Sequence, residues 1–164
     1  RSYYEEVLIV RVHPEILKAQ SLPKETARAP AIWPQRFESI NNLEQHLHSN
    51  GTRVLKFFLH LSKDEQRQRF LARLEDPAKN WKFTADDMAE RELWPKYQQA
   101  YGEMLGATSS AEAPWYVVPA DDKRNARLIV SQVIVEALAG LKMSYPEPTL
   151  SADELAAIRK RLKA

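Results

Sequence analysis

The sequence predicts an α/β fold, mainly helical, built around two short parallel strands. Residues 54–61 and 115–119 are apolar runs of strand length, rich in β-branched and aromatic side chains. Around them stand segments whose apolar residues recur three or four apart, the spacing of helices that bury one stripe. Strands separated by helices pair in parallel through right-handed crossovers, and a parallel sheet needs cover on both faces.

Residues 2–17 give conflicting signals. Ser2-x-x-Glu5 is a capping-box pattern, in which serine and glutamate satisfy each other's free N–H groups at a helix start. The Val7-Leu8-Ile9-Val10 run behind it reads as a buried strand over about 6–12. Pro23, Pro30 and Pro34 make residues 18–34 an irregular connection. Phe37, Ile40, Leu43 and Leu47 form the stripe of a helix over about 36–49. Ser49-Asn50-Gly51 stops it, Gly51 suiting the left-handed position after a helix.

Past the first strand, Ser62 and Glu65 repeat the capping pattern, and Phe70, Leu71 and Leu74 are the apolar face of the helix that Asp76-Pro77 ends. Residues 76–84 form a polar loop. Thr84 caps a helix over about 85–105, with Met88, Leu93, Tyr97 and Tyr101 or Leu105 inward and a kink or turn at Pro95. Beyond the second strand, Asp121-Asp122 opens a helix over 122–141. Tyr145-Pro146-Glu147-Pro148 is a rigid linker, and Ser151-x-x-Glu154 caps a last amphipathic helix with Arg and Lys at its end, as the helix dipole prefers. Two strands are few for a sheet, so the pattern predicts sheet partners beyond those the chain contains.

Composition narrows the chemistry. The chain has 164 residues and no cysteine, which excludes disulfides, a thiol nucleophile and cysteine-ligated metal. Its glycines, at 51, 102, 106 and 140, make neither G-x-x-x-x-G-K-[ST] nor G-x-G-x-x-G. Lys+Arg of 24 against Asp+Glu of 22 leaves a net charge of only +2, no case for nucleic acid unless the cations cluster. No apolar run is long enough to span a bilayer and no signal peptide opens the chain, so the expectation is no membrane and a cytoplasmic setting. The chain opens on Arg1 rather than Met, as a processed chain or a piece of a longer one would.

The cations do cluster. Lys63, Arg67, Arg69, Arg73, Lys79 and Lys82 fall within residues 63–82, with Arg69 and Arg73 four apart on one helix face. A strand, an arginine-bearing helix, a basic loop carrying Trp81 and a return helix make a phosphate-binding lid, since guanidinium forks grip phosphate oxygens and closure excludes water. The plainer alternative is a solvated face whose arginines pair with Asp64, Glu65 and Glu75.

Five stretches in order resemble one family. They are 1–13 (RSYYEEVLIVRVH), 36–44 (RFESINNLE), 55–66 (LKFFLHLSKDEQ), 76–82 (DPAKNWK) and 113–123 (APWYVVPADDK). Together they resemble the polyphosphate kinase 2 family over about residues 1–148. The resemblance implies a P-loop kinase-like (thymidylate-kinase-like) three-layer fold. This chain would be its mainly helical C-terminal portion, 1–148, with a lid over about 62–105 and a helical extension at 149–164. It implies helix rather than strand after Ser2, and places the two strands fourth and fifth in a 2-3-1-4-5 sheet. It implies phosphoryl transfer between inorganic polyphosphate and ADP/AMP or GDP/GMP with Mg2+ (ATP/GTP as product), a homo-oligomer, and no activity from this chain alone, because the phosphate cradle lies upstream.

The resemblance also implies roles. Arg1 and Arg11 are the catalytic arginines; Arg69, Arg73, Lys79 and Lys82 are the phosphate-binding lid; Asp121, Asp122 and Lys123 form the nucleotide-side loop. Glu5 and Glu6 are in position to orient magnesium through water, though capping explains Glu5 more cheaply, and no metal ligand is assigned in this chain. His13 is structural. Trp81 either stacks on a base or packs. Arg124-Asn125 replaces residues that are often aromatic in the family, which puts an aromatic contact there in doubt. Two rivals stand: an ATP-using nucleoside-phosphate kinase of thymidylate type, and a non-catalytic helical module binding RNA or another polyanion.

Overall fold

A computed structural model describes residues 2–23, 26 and 31–163. The conflict at the start of the chain resolves to helix. Tyr3–Val7 is a 3-10 turn, followed by α1 (Ile9–Val12) and α2 (Pro14–Ala19), which Pro14 opens at its first position. Ser2 Oγ accepts from Tyr4 N at 3.2 Å, and Glu5 N donates to the Ser2 carbonyl at 3.1 Å, the tighter spacing of a 3-10 start. Tyr4, Val7 and Val10 are all buried. Val12 is buried too, and the segment is helical by its backbone: Leu8 N bonds the Glu5 carbonyl at 3.2 Å, Val12 N that of Leu8 at 3.1 Å and His13 N that of Ile9 at 2.8 Å.

The first long helix, α3 (Ile32–Ser49), starts four residues before the predicted boundary and takes in Pro34 near its start, where a missing N–H costs nothing. Gly51 ends it at φ 83°, donating to the His48 carbonyl at 3.0 Å while Thr52 N reaches Leu47 at 2.9 Å. These two bonds satisfy orphan carbonyls of the last turn. Strand β1 (Lys56–His60) follows, then α4 (Lys63–Glu75), a 3-10 turn at Asn80–Lys82, α5 (Ala85–Glu92) and α6 (Trp94–Thr108). The helix predicted over 85–105 is therefore two, broken at Leu93 just before Pro95. Strand β2 (Trp115–Pro119), α7 (Lys123–Gly140) and α8 (Ala152–Leu162) complete the chain.

The two strands pair in parallel, Lys56 opposite Trp115 and His60 opposite Pro119. One core cluster joins the Tyr3–Val7 turn, α3 and α6 through Tyr4, Val7, Phe37, Ile40 and Met104, with Trp33, Tyr101 and Trp115 against it. Helix α7 contacts β2. Not every apolar face finds cover: Leu71 and Leu74 on α4, Met88 on α5, and Leu128 and Leu138 on α7 are exposed. The inward placement expected for Met88 is thus corrected, because α5 turns that side to solvent. Residues 141–163, α8 among them, are exposed throughout. No helix among the described residues is long and apolar enough to cross a membrane.

A polar cluster lies inside this apolar frame. Lys56, the first residue of β1, is 5% exposed, and Glu44 on α3 is 3% exposed. Lys56 Nζ donates to Glu44 Oε2 at 2.6 Å, to the Thr108 carbonyl at 2.6 Å and to the Tyr4 hydroxyl at 3.1 Å, so all three ammonium protons are used. Glu44 Oε1 accepts from the Tyr3 and Tyr4 hydroxyls, each at 2.8 Å. Burial, opposed by a bond from Thr108 and reinforced by the Glu44 carboxylate, pushes the Tyr4 hydroxyl above its ordinary pKa; burial and the same carboxylate raise Tyr3 to about 12. Removing one partner leaves a buried charge unpaired. Lys56→Met is accordingly expected to cost about 3–5 kcal/mol in denaturant unfolding, and the apolar double variant Lys56→Met/Glu44→Leu distinctly less than Lys56→Met alone.

Candidate functional site

The carboxyl ends of β1 and β2 lie side by side, and the loops leaving them are tied together. Ala120 N donates to the His60 carbonyl at 2.9 Å, and Ser62 N donates to Asp121 Oδ1 at 2.8 Å. The backbone and side-chain bonds from Ser62 hold the Asp121 carboxyl below its usual pKa. Asp122 Oδ1 accepts from Arg124 N at 2.7 Å and Asn125 N at 3.2 Å, capping α7. Of the predicted nucleotide-side loop, both acids are thus committed to backbone, and Lys123 makes no ion pair among the described residues.

Arg69 of α4 spans the gap between the loops. Its Nη2 donates to the carbonyls of Ala120 at 2.9 Å and Asp121 at 3.0 Å, and its Nε to Glu65 Oε1 at 2.8 Å. The guanidinium therefore fixes the start of α4 against the loop after β2. An open cleft of about 450 Å³ lies here, floored by Leu59, Leu61, Ala126 and Val130 and rimmed by Arg69, Lys123 and Arg127. Glu65 balances Arg69, so Lys123 and Arg127 give this cleft its net positive charge. Arg127 was not singled out in the sequence, though it stands four residues after Lys123 on the same face of α7, a spacing legible without coordinates.

The other lid cations lie apart from this cleft. Arg73 sits over the Phe70 ring, 5.8 Å from its centroid. Lys79 pairs with Asp76, and that bond holds the Asp76 carboxyl below its usual pKa. Lys82 lies over Trp81, 5.0 Å from the ring centroid, and Trp81 is 72% exposed, its indole N–H bonded to the Ala78 carbonyl at 3.1 Å. The turn is pinned to α4 by Phe83 standing edge-on to Phe70, centroids 5.3 Å apart. Of the pairings in the solvated-face alternative, Arg67–Asp64 and Arg69–Glu65 are present.

Arg1 lies outside the described residues. Arg11 on α1 pairs with Glu103 of α6, lies 5.3 Å from the Trp33 ring centroid and does not line the cationic cleft. His13, between α1 and α2, bridges Glu15 at 3.0 Å and Glu90 of α5 at 3.0 Å, and Tyr97 donates to Glu90 at 2.6 Å. The Glu90 bond, partly opposed by burial and helped by Glu15, raises the His13 pKa above its ordinary 6.5. The Tyr97 hydroxyl, and then His13, lower that of Glu90. A second open cleft, about 520 Å³, lies beside this bridge and includes Phe58, Gln66, Phe70, Trp94, Gln98 and Tyr101 in its lining. Leu59 and Leu61 line both clefts, so the two meet at the carboxyl end of β1.

No group of three or more His, Asp or Glu side chains that can hold a metal exists among the described residues. The loop acids Asp121 and Asp122 each give one carboxylate oxygen, Oδ1, to backbone N–H groups. These residues do not fit a metal site of their own.

Parallel strands flanked by helices, with a cleft beyond their carboxyl ends, are the pattern of open α/β folds, and the likeness to solved structures makes the class P-loop kinase-like. The family model of polyphosphate kinase 2 matches residues 1–146, and the chain belongs to that family. The chain is 61% identical over 163 residues to an ADP-polyphosphate phosphotransferase of Rhodopseudomonas palustris, covering 99% of this chain and 56% of that protein. It is 43% identical to an AMP/ADP-polyphosphate phosphotransferase of Meiothermus ruber, covering 94% of this chain and 54% of the other. A crystal structure of polyphosphate kinase 2 from Arthrobacter aurescens TC1 superposes with a TM-score of 0.84 at 39% identity, over 99% of this chain and 52% of that one. The chain spans about half the length of these relatives.

The His13 bridge has a definite pH signature. A pKa raised on folding adds stability that is fully present below the unfolded value of about 6.5 and is lost as pH rises through the folded value. His13→Gln is expected to lower unfolding stability at about pH 5.5–6 and to leave it nearly unchanged at about pH 9, read by denaturant melts at both.

Proposed function

We propose that the protein of which this chain is part transfers a phosphoryl group between inorganic polyphosphate and a nucleoside mono- or diphosphate, and that this chain supplies the cationic cleft beyond β1 and β2. In the synthetic direction the terminal P–O–P bridge of polyphosphate breaks and a P–O bond forms to a terminal phosphate oxygen of ADP or GDP. The products are ATP or GTP and a polyphosphate one unit shorter. With AMP or GMP the same exchange yields the diphosphate. Such transfer is mostly positioning and neutralisation of spread negative charge, which Lys123 and Arg127 are free to supply.

Net positive charge in a cleft where Arg69, Lys123 and Arg127 converge carries this reading. The names of the relatives support it. Arg69 positions the loop more than it offers a free fork, while Arg73, Lys79 and Lys82 belong to a basic lid over about 62–105 that tracks the polyanion beyond the cleft. Magnesium enters with the substrates as the counter-ion of their phosphates, in keeping with its preference for phosphate oxygens and retained water. The setting is cytoplasmic, the polyanion inorganic rather than nucleic acid, and the assembly a homo-oligomer. Arg1 and Arg11 are further candidates for reaching the transferring phosphates, Arg11 only after release from Glu103 and Trp33.

The test is donor choice in the full-length protein with AMP or GDP as acceptor, Mg2+ and either polyphosphate or ATP as donor. Faster phosphorylation from polyphosphate is expected; faster phosphorylation from the triphosphate transfers the assignment to the thymidylate-type rival. Arg127→Ala is expected to raise KM for polyphosphate about tenfold, the scale of one charge-assisted contact. An unchanged KM removes Arg127 from the site.

A further inference from the structure

One acid beside the cationic cleft spends its carboxylate on an arginine rather than on backbone. Glu65 stands on the first turn of α4, where Ser62 Oγ accepts from its backbone N–H at 3.0 Å and so caps the helix without the Glu65 side chain. That side chain, partly buried, accepts from Arg69 Nε at 2.8 Å through Oε1. Arg69 Nη2 gives its two protons to the Ala120 and Asp121 carbonyls, at 2.9 Å and 3.0 Å. Three of the five donors of a guanidinium are thereby fixed. Nη1 makes no hydrogen bond among the described residues, so its two protons are what Arg69, which lines the cleft, still has to give.

On charge alone, an acid here weakens a site for a polyanion, because it cancels one of the cations that rim the cleft. We infer that Glu65 is a positioning residue for polyphosphate binding. Held on Nε by a carboxylate and on Nη2 by two carbonyls, the Arg69 guanidinium has its plane set in advance, with the Nη1 protons left for a phosphate oxygen. An arginine free to rotate has to be ordered by each substrate it meets, and that ordering weakens binding; a fork already held loses less. Of the three bonds, the one to Glu65 is the shortest and the only one that joins two charges. The inference rests on the proposed reading of the cleft and deepens it, adding a residue that acts on polyphosphate only through Arg69.

Calorimetry of polyphosphate binding to the full-length protein tests it without requiring transfer. Glu65→Ala is expected to weaken binding about tenfold, the scale of one charge-assisted contact, and Glu65→Gln, which keeps an acceptor for Nε, to stay within about threefold of wild type. In an Arg69→Ala background, adding Glu65→Ala is expected to change the affinity by less than about twofold, since nothing is left to position. Equal or tighter binding in Glu65→Ala overturns the inference. So does a loss in Glu65→Gln as large as that in Glu65→Ala, or a tenfold loss that persists in the Arg69→Ala background, as a merely structural role gives. Arg127→Ala leaves the Glu65–Arg69 pair intact and separates this from the reading of the cleft. Weaker binding in Arg127→Ala with none lost in Glu65→Ala sinks the positioning role alone, and no loss in either sinks both. If the expected pattern is found in a protein that transfers no phosphate, the functional reading fails and the positioning role stands.

Discussion

One buried ammonium ties the helical core to the start of the sheet. Lys56 opens β1, and its three donors reach α3 through Glu44, the end of α6 through the Thr108 carbonyl, and the first turn through the Tyr4 hydroxyl. An ion taken out of water at this depth is tolerable only when every proton has an acceptor and the counter-charge is saturated in turn. Glu44 meets that condition by accepting from both Tyr3 and Tyr4. Trp115, which opens β2, adds its ring 5.3 Å from the ammonium and its indole N–H to Thr108 at 2.9 Å. The amino ends of both strands are thereby registered against three helical segments.

That registration frees the opposite ends. With the amino ends locked, the carboxyl ends carry loops that need only short-range ties: Ser62 to Asp121, and Arg69 to the Ala120 and Asp121 carbonyls. The sheet edge then presents two surfaces. On one, cations outnumber the acids that pair with them; on the other, rings prevail.

Legibility in the sequence followed locality. Caps at Ser62, Thr84, Asp122 and Ser151 and the stop at Gly51 are written within four residues, and each bounds a helix as read. At residues 6–12 the β-branched content favoured strand and the resemblance helix, and N–H groups bonded three and four residues back show the segment to be helical. Leu71 and Leu74 read as an apolar face from spacing alone, but periodicity identifies a face without saying what covers it. In the candidate site, Arg69 was legible as part of the basic pattern over 63–82 and Lys123 through the family resemblance, while Arg127 went unnoticed although it stands four residues after Lys123. The Lys56–Glu44 pair was equally hidden, since nothing local marks either charge for burial.

The cationic cleft beyond β1 and β2 is the central claim, and a crystal structure of the full-length enzyme with bound polyphosphate tests it most directly. The expected density places phosphates against Lys123 and Arg127. Phosphates remote from both cations contradict it.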